Sequence, residues 1–236
     1  KILSIDVTAA KKLPGVIEIL TGQDYVDDGY GKLECTPKQK RRDGSSMFEP
    51  ENPVLVLNQV KMVGDYIAMI IAETIHQAKD AAEGIKVEFE PLPTVSTPFE
   101  AAQLGAPKVW EDSENNICFV HLCGDKEKTD EAFDKAAYVV GGALPVNRSA
   151  HATMEPRGAI AEYNKGAGTL TLFTGVHYPW QLREELALKI FGIPETKVRV
   201  VAGDMGGSFG LRGGTNREHV LVCWASIKIA RPVKWV

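Results

Sequence analysis

The run Gly203-Asp204-Met205-Gly206-Gly207-Ser208-Phe209-Gly210-Leu211-Arg212-Gly213-Gly214 gathers the residue types from which a chain builds a cradle for an anionic ligand. Glycines admit φ > 0 and let backbone N–H groups approach a ligand closely, and a helix starting beyond them adds partial positive charge. Val198 to Val201, just before the run, read as a strand. The residues after it read as a helix. Thr215 and Glu218 have capping-box spacing, Val220 to Ile229 is mostly apolar, and Lys228, Arg231 and Pro232 mark the end. Two readings of the loop stand side by side: a cofactor cradle, or a tight turn that binds nothing. The run contains neither GxxxxGK[ST] nor GxGxxG, so it is neither a P-loop nor a dinucleotide-fold fingerprint.

Other reactive side chains are scattered. His177 lies in Thr174-Gly175-Val176-His177-Tyr178-Pro179-Trp180, Glu155 and Arg157 in Met154-Glu155-Pro156-Arg157-Gly158, and His151 a few residues upstream. Glu155 and Arg157 are expected to hold a turn together or to pair with neighbours rather than to catalyse. His76 falls on a helix surface and His219 in a first helical turn, neither placed for catalysis. The spacing of Cys35, Cys118, Cys123 and Cys223 matches no zinc knuckle or ferredoxin run. Free thiols in a reducing cytoplasm follow, and no metal ligands are assigned.

The elements that must position these groups divide into two α/β regions. Ile2, Leu3 and Ile5 begin a strand, Asp6 or Thr8 can cap a short helix through Leu13, and Val16 to Leu20 form a second strand. A similar unit recurs at 65–90. There Tyr66 to Ala72 are a strand, Thr74 caps a helix closed by Gly84, and Ile85, Val87 and Phe89 alternate with polar residues. The expected core of this region is Ile2, Ile5, Val16, Ile19, Ile67, Met69, Ile71, Val87 and Phe89. Residues 24–52 read as a long surface loop, and 105–134 as a polar linker. In the second region, Ala159 to Tyr163 and Thr169 to Phe173 flank a hairpin turn. Pro179 opens a helix with Leu182, Leu186 and Ile190 on one face, and Gly192 and Pro194 close it. The predicted domains are 1–104, 105–134 as linker, and 135–236.

The composition, 44% hydrophobic and 25% charged over 236 residues, is that of an ordered globular chain. A net charge of −4 gives no reason to expect nucleic acid as a partner, and the basic run Lys38, Lys40, Arg41, Arg42 reads as a solvated loop. No segment approaches the ~18 apolar residues of a membrane span.

The glycine run and the upstream Asn147-Arg148-Ser149-Ala150-His151-Ala152-Thr153-Met154-Glu155-Pro156-Arg157-Gly158 together resemble the large subunit of molybdenum hydroxylases, the xanthine dehydrogenase, aldehyde oxidase and aerobic carbon monoxide dehydrogenase family. Further matches fall in order at Leu13-Pro14-Gly15-Val16, Val63-Gly64-Asp65, Ala68 to Glu73, Glu88 to Pro93 and Arg231-Pro232-Val233-Lys234-Trp235. The resemblance implies an α/β (α+β) fold: a small N-terminal α/β hammerhead domain, then the first part of a molybdopterin-binding domain, the whole read as an N-terminal fragment.

It also implies chemistry. In this family a molybdenum centre, held by dithiolene sulfurs of molybdopterin or its cytosine dinucleotide, oxidises an aldehyde, a heteroaromatic or carbon monoxide with oxygen from water. The 2Fe-2S clusters and FAD are expected on partner subunits, in an oligomer of heterotrimers, with a small-molecule substrate and no nucleic acid or membrane span. Gly206, Gly207, Ser208, Phe209 and Gly210 match the family's glycine-glycine-x-phenylalanine-glycine element beside the molybdenum end of the cofactor. Phe209 walls the site or packs in the core, and Ser208 donates to an oxygen of the cofactor or faces solvent. His177 stands where the family often has a glutamine touching the molybdenum oxo group. Its alternative is a histidine packed in a turn. Imidazole can exchange a proton near neutrality and an amide cannot. The family's general base is a glutamate expected beyond Val236, so no catalytic residue is assigned and the fragment is expected to be inactive and free of cofactor. The alternatives are a non-catalytic scaffold or assembly module, and a nucleotide-binding enzyme using loop 203–214.

Overall fold

The computed structural model describes residues 1–147 and 149–236. Arg148, part of the upstream motif, lies outside the described residues. The elements in chain order are β1 (Ile2–Asp6), β2 (Val16–Thr21), α1 (Gly22–Asp27), β3 (Ala68–Ala72), α2 (Ile75–Glu83), β4 (Lys86–Phe89), α3 (Pro98–Ala101), α4 (Lys126–Asp134), β5 (Ala159–Asn164), β6 (Thr169–Thr174), α5 (Pro179–Glu184), β7 (Val198–Val201), α6 (Arg217–Ile229) and β8 (Val233–Trp235). One compact unit comprises Lys1–Cys35, Glu51–Thr94 and His151–Val236, and a second comprises Thr36–Pro50 and Val95–Ala150.

In the first unit β1 pairs with β4 and β2 with β3, both antiparallel. The Thr74 hydroxyl accepts from Gln77 N and starts α2, which packs over β3 and ends at Gly84, as the sequence predicts. The predicted core of this region is only partly formed. Ile19 and Ile71 are buried, whereas Phe89 is 51% exposed and Val87 half-buried. The β1–β4 pair is a separate two-stranded ribbon, and α2 covers the β2–β3 pair instead, so alternation along β4 does not translate into burial.

A four-stranded sheet, ordered β7-β6-β5-β8, forms the rest of this unit, with β6–β7 parallel and the other pairs antiparallel. The two-residue periodicity is visible in the burial. Ala159 and Ala161 of β5 and Leu170 and Leu172 of β6 point inward, while Ile160 and Glu162 point out. Against that inner face lies α6, in which Val220 to Ser226 are all buried. Leu182, Leu186 and Ile190 are buried on the predicted face, although the helix widens into a π-helical turn over Glu185–Phe191 before Gly192, at φ 63, ends it.

Residues 24–35 contradict the expectation of a surface loop over 24–52. Tyr25 is buried edge-on against Trp224 at 5.1 Å, and its hydroxyl donates to Gly31 O at 2.7 Å. Trp224 Nε1 donates to Asp28 at 2.7 Å, where Lys228 also binds at 2.8 Å. Burial raises the Asp28 carboxyl, but those two donors outweigh it and hold the group below the usual carboxylate range. A polar-looking segment is thus pinned by two buried aromatic rings, each of the kind whose removal costs about 3–5 kcal/mol.

In the second unit α3 is held by a capping box between Thr97 and Glu100. Asn116 stitches this stretch together, donating to Ala101 O at 3.0 Å and Pro107 O at 2.9 Å and accepting from Val109 N at 2.9 Å. The stretch read as a linker therefore carries structure of its own, including α4, which starts at an Asp125 cap.

Candidate functional site

Strand β7 delivers the chain into the glycine loop, and three of its residues take left-handed backbone angles: Gly207 at φ 108, Phe209 at φ 49 and Gly210 at φ 89. For Phe209 that conformation costs roughly 1–2 kcal/mol, and its ring is 75% exposed. Phe209 therefore does not pack in the core. Among the described residues the N–H groups of Gly207, Ser208, Phe209 and Gly210 donate to no protein acceptor. The Ser208 hydroxyl faces inward and accepts from Arg212 N at 3.4 Å.

The loop rests on the upstream motif. Gly206 N donates to Glu155 Oε2 at 2.7 Å, a Cβ at Gly206 would overlap the Glu155 side chain, and one at Gly207 would touch Thr153. Arg212, 1% exposed, sits between the segments: Nε donates to Gly207 O at 2.9 Å, and Nη2 to Glu155 O at 2.9 Å and Pro156 O at 3.2 Å. Nη1 reaches Gly175 O at 3.4 Å. Its charge meets the Glu155 carboxylate at 3.1 Å. Sequence reasoning passed over Arg212. The available signal was one cation inside a glycine run with a lone carboxylate upstream.

His177 joins the same cluster through its backbone, His177 N donating to Arg212 O at 3.1 Å. Its ring is exposed, edge-on to Tyr178 at 6.0 Å, with Tyr178 edge-on to Trp180 at 5.7 Å. The structure thus brings Gly206–Gly210, His177 and Glu155 together.

The start of α6 differs from the predicted capping box. Asn216, not Thr215, is the cap: His219 Nδ1 accepts from Asn216 N at 3.2 Å, while the Thr215 hydroxyl bonds to Glu185. Glu218 is buried instead and has Arg157 Nη2 3.0 Å from its Oε1, without the alignment of a directed hydrogen bond. Burial raises the Glu218 carboxyl above the ordinary carboxylate value, and Arg157 and Arg217 offset this only in part. So Glu155 and Arg157 do pair with neighbours, as predicted: Glu155 ties Gly206 and Arg212 of the glycine loop, and Arg157 meets Glu218 in the first turn of α6.

Residues 1–93 match the family described as "Aldehyde oxidase and xanthine dehydrogenase, a/b hammerhead domain", and residues 109–236 match "Molybdopterin cofactor-binding domain". The chain belongs to the molybdopterin cofactor-binding family. Its fold is accordingly a hammerhead domain followed by part of a molybdopterin-binding domain. The described residues contain no group of three or more His, Cys, Asp or Glu able to hold a metal ion.

This molybdopterin-binding chain is 32% identical, over its whole length, to the carbon monoxide dehydrogenase large chain of Afipia carboxidovorans. It is 31% identical to the 6-hydroxypseudooxynicotine dehydrogenase complex subunit gamma of Paenarthrobacter nicotinovorans. It spans 29% of the length of each of these relatives. Quinoline 2-oxidoreductase from Pseudomonas putida 86 superposes with a TM-score of 0.87 at 30% identity, over 100% of this chain and 29% of that one. Among the described residues no helix is long and apolar enough to cross a membrane.

Proposed function

We propose that the chain forms the hammerhead region and the first cofactor-contacting loop of a molybdenum hydroxylase catalytic subunit. The complete enzyme would hydroxylate an aldehyde, heteroaromatic or similar substrate, or oxidise carbon monoxide, with water as the oxygen source. The observation that carries this reading is the row of free amides at 207–210 beneath an exposed, left-handed Phe209. Such a row suits the oxo and phosphate oxygens of a molybdenum-loaded pterin, which needs donors at close range and no carboxylate facing it. When bound, that group accepts two electrons from the substrate. The chain's own part is to hold the loop, present four N–H donors, wall one side with Phe209 and place His177 beside them. The domain limits near 104 and 134 are part of this reading.

Iron–sulfur and flavin subunits would receive the electrons, and one relative is itself a "subunit gamma" of a complex. Cys118, Cys123 and Cys223 are free thiols, in keeping with work in the cytoplasm. The chain from 1 to 236 alone is expected to carry no molybdenum, because one open loop cannot enclose a large polar cofactor. The test is metal and pterin analysis of the complete enzyme, with dye reduction by aldehydes, N-heteroaromatics and carbon monoxide. Molybdenum with pterin and turnover of one of these supports the proposal. Nucleotide alone would point to a nucleotide-binding enzyme, and neither ligand to a scaffold.

A further inference from the structure

We infer that Arg212 is the positioning residue of this site, fixing the loop so that its free amides face outward; the ligand they meet rests on the cofactor reading above. A trans peptide points its C=O and N–H in opposite directions. Arg212 Nε draws the Gly207 carbonyl inward at 2.9 Å, and that same peptide plane turns the Ser208 N–H away from the protein. Ser208 O is likewise held, by Leu211 N at 2.9 Å, which turns out the Phe209 N–H. Glycine adopts positive φ without steric cost, so Gly207 and Gly210 permit the loop's path, whereas the left-handed angle of Phe209 is costly and lasts only where the surroundings over-determine it.

The guanidinium supplies that over-determination. It is a planar fork of five donors, spread here over carbonyls of Gly207, Glu155, Pro156 and Gly175 from three separate segments. Its charge is met by the same Glu155 carboxylate oxygen that accepts Gly206 N, so the loop's entry and its clamp share one anchor. A lysine ammonium would keep the charge but cannot span those carbonyls.

Arg212→Lys in the complete enzyme is the decisive variant, and Gly175→Ala the second. A Cβ at 175 would stand 2.6 Å from Arg212 Nη1, displacing the fork without removing its charge. Three quantities are measured: molybdenum per folded protein, the Mo(V) paramagnetic signal of whatever fraction is loaded, and amide exchange at Gly206, Leu211 and His177. Arg212→Lys is expected to lower molybdenum content on the order of tenfold, as loss of an outer partner of a metal site does, with a changed signal and faster exchange at those amides. Gly175→Ala should show the same changes in milder form. Wild-type loading, signal and exchange in either folded variant would overturn the assignment. Should the unaltered enzyme contain no molybdenum, the cofactor reading fails by itself, and exchange alone decides for or against Arg212.

Discussion

The side chain of Glu155 occupies the space that a Cβ on Gly206 would need, while its Oε2 accepts the Gly206 N–H at 2.7 Å. Packing against the upstream motif by itself therefore requires glycine at 206. Gly206→Ala should force the two segments apart and cost about 1–3 kcal/mol of stability. Gly214, with open space around it, supplies the control: Gly214→Ala should stay within about 0.5 kcal/mol of the parent. Thermal melting of both variants checks this, and equal midpoints would show that the loop is not packed on Glu155.

Gly207 is constrained differently, by its φ of 108. A Cβ there would also stand 3.3 Å from Phe209 Cε2, the ring proposed to wall the site. Gly207→Val in the complete enzyme is expected to abolish molybdenum loading while lowering fold stability by only about 1–3 kcal/mol, since the loop buries little apolar surface. Elemental analysis beside a melting curve decides the matter. Full molybdenum in the valine variant would mean that the loop does not cradle the cofactor.

The glycine loop, its flanking strand and helix, the β5–β6 hairpin and the helix opened by Pro179 were legible because each has a local signature in glycine, proline or hydrophobic period. Phe89 was misread because alternation predicts which residues share a face but not whether another element covers that face. Residues 24–35 were misread for the opposite reason: Asp28 looks solvent-seeking until Trp224 and Lys228, about two hundred positions away, supply its partners, and Gly31 until Ile190 O accepts its N–H. The clamp at Arg212 is non-local in the same sense. Apart from the Glu155 carboxylate, its acceptors are backbone carbonyls, which every residue possesses and no sequence pattern marks. Asn216 displaced Thr215 as the cap because His219 could bond back to it while Glu185 took the Thr215 hydroxyl.

His177→Gln tests whether the exposed imidazole serves the site. The family resemblance implies an amide at this place, so molybdenum content should remain at the parent level. Turnover should change, because an amide offers different donor and acceptor geometry beside the loop. Elemental analysis and kcat against KM for the complete enzyme check both halves. A variant with unaltered kcat and KM would leave His177 as a turn residue edge-on to Tyr178.

The imidazole of His219 is fixed in one neutral tautomer by its surroundings. The Thr174 hydroxyl donates to Gly158 O at 2.8 Å, so its contact of 3.2 Å with His219 Nε2 requires that nitrogen to donate, while Nδ1 accepts from Asn216 N. Protonation would place a hydrogen on Nδ1 facing another donor. Burial, with Arg157 and Arg212 adding to it, pushes the group down from 6.5 to about 4. The sign follows: between those values the unfolded chain takes up a proton that the folded chain refuses. Stability is therefore fully present above about pH 6.5 and is lost progressively down to about pH 4, by roughly 3 kcal/mol for this group. Denaturant unfolding from pH 4 to 7 should show a steeper decline for the parent than for His219→Gln, whose amide does not titrate. The difference between the two profiles isolates His219 from the carboxylates that also titrate at the acid end. Parallel profiles would mean that His219 is not held neutral in the fold.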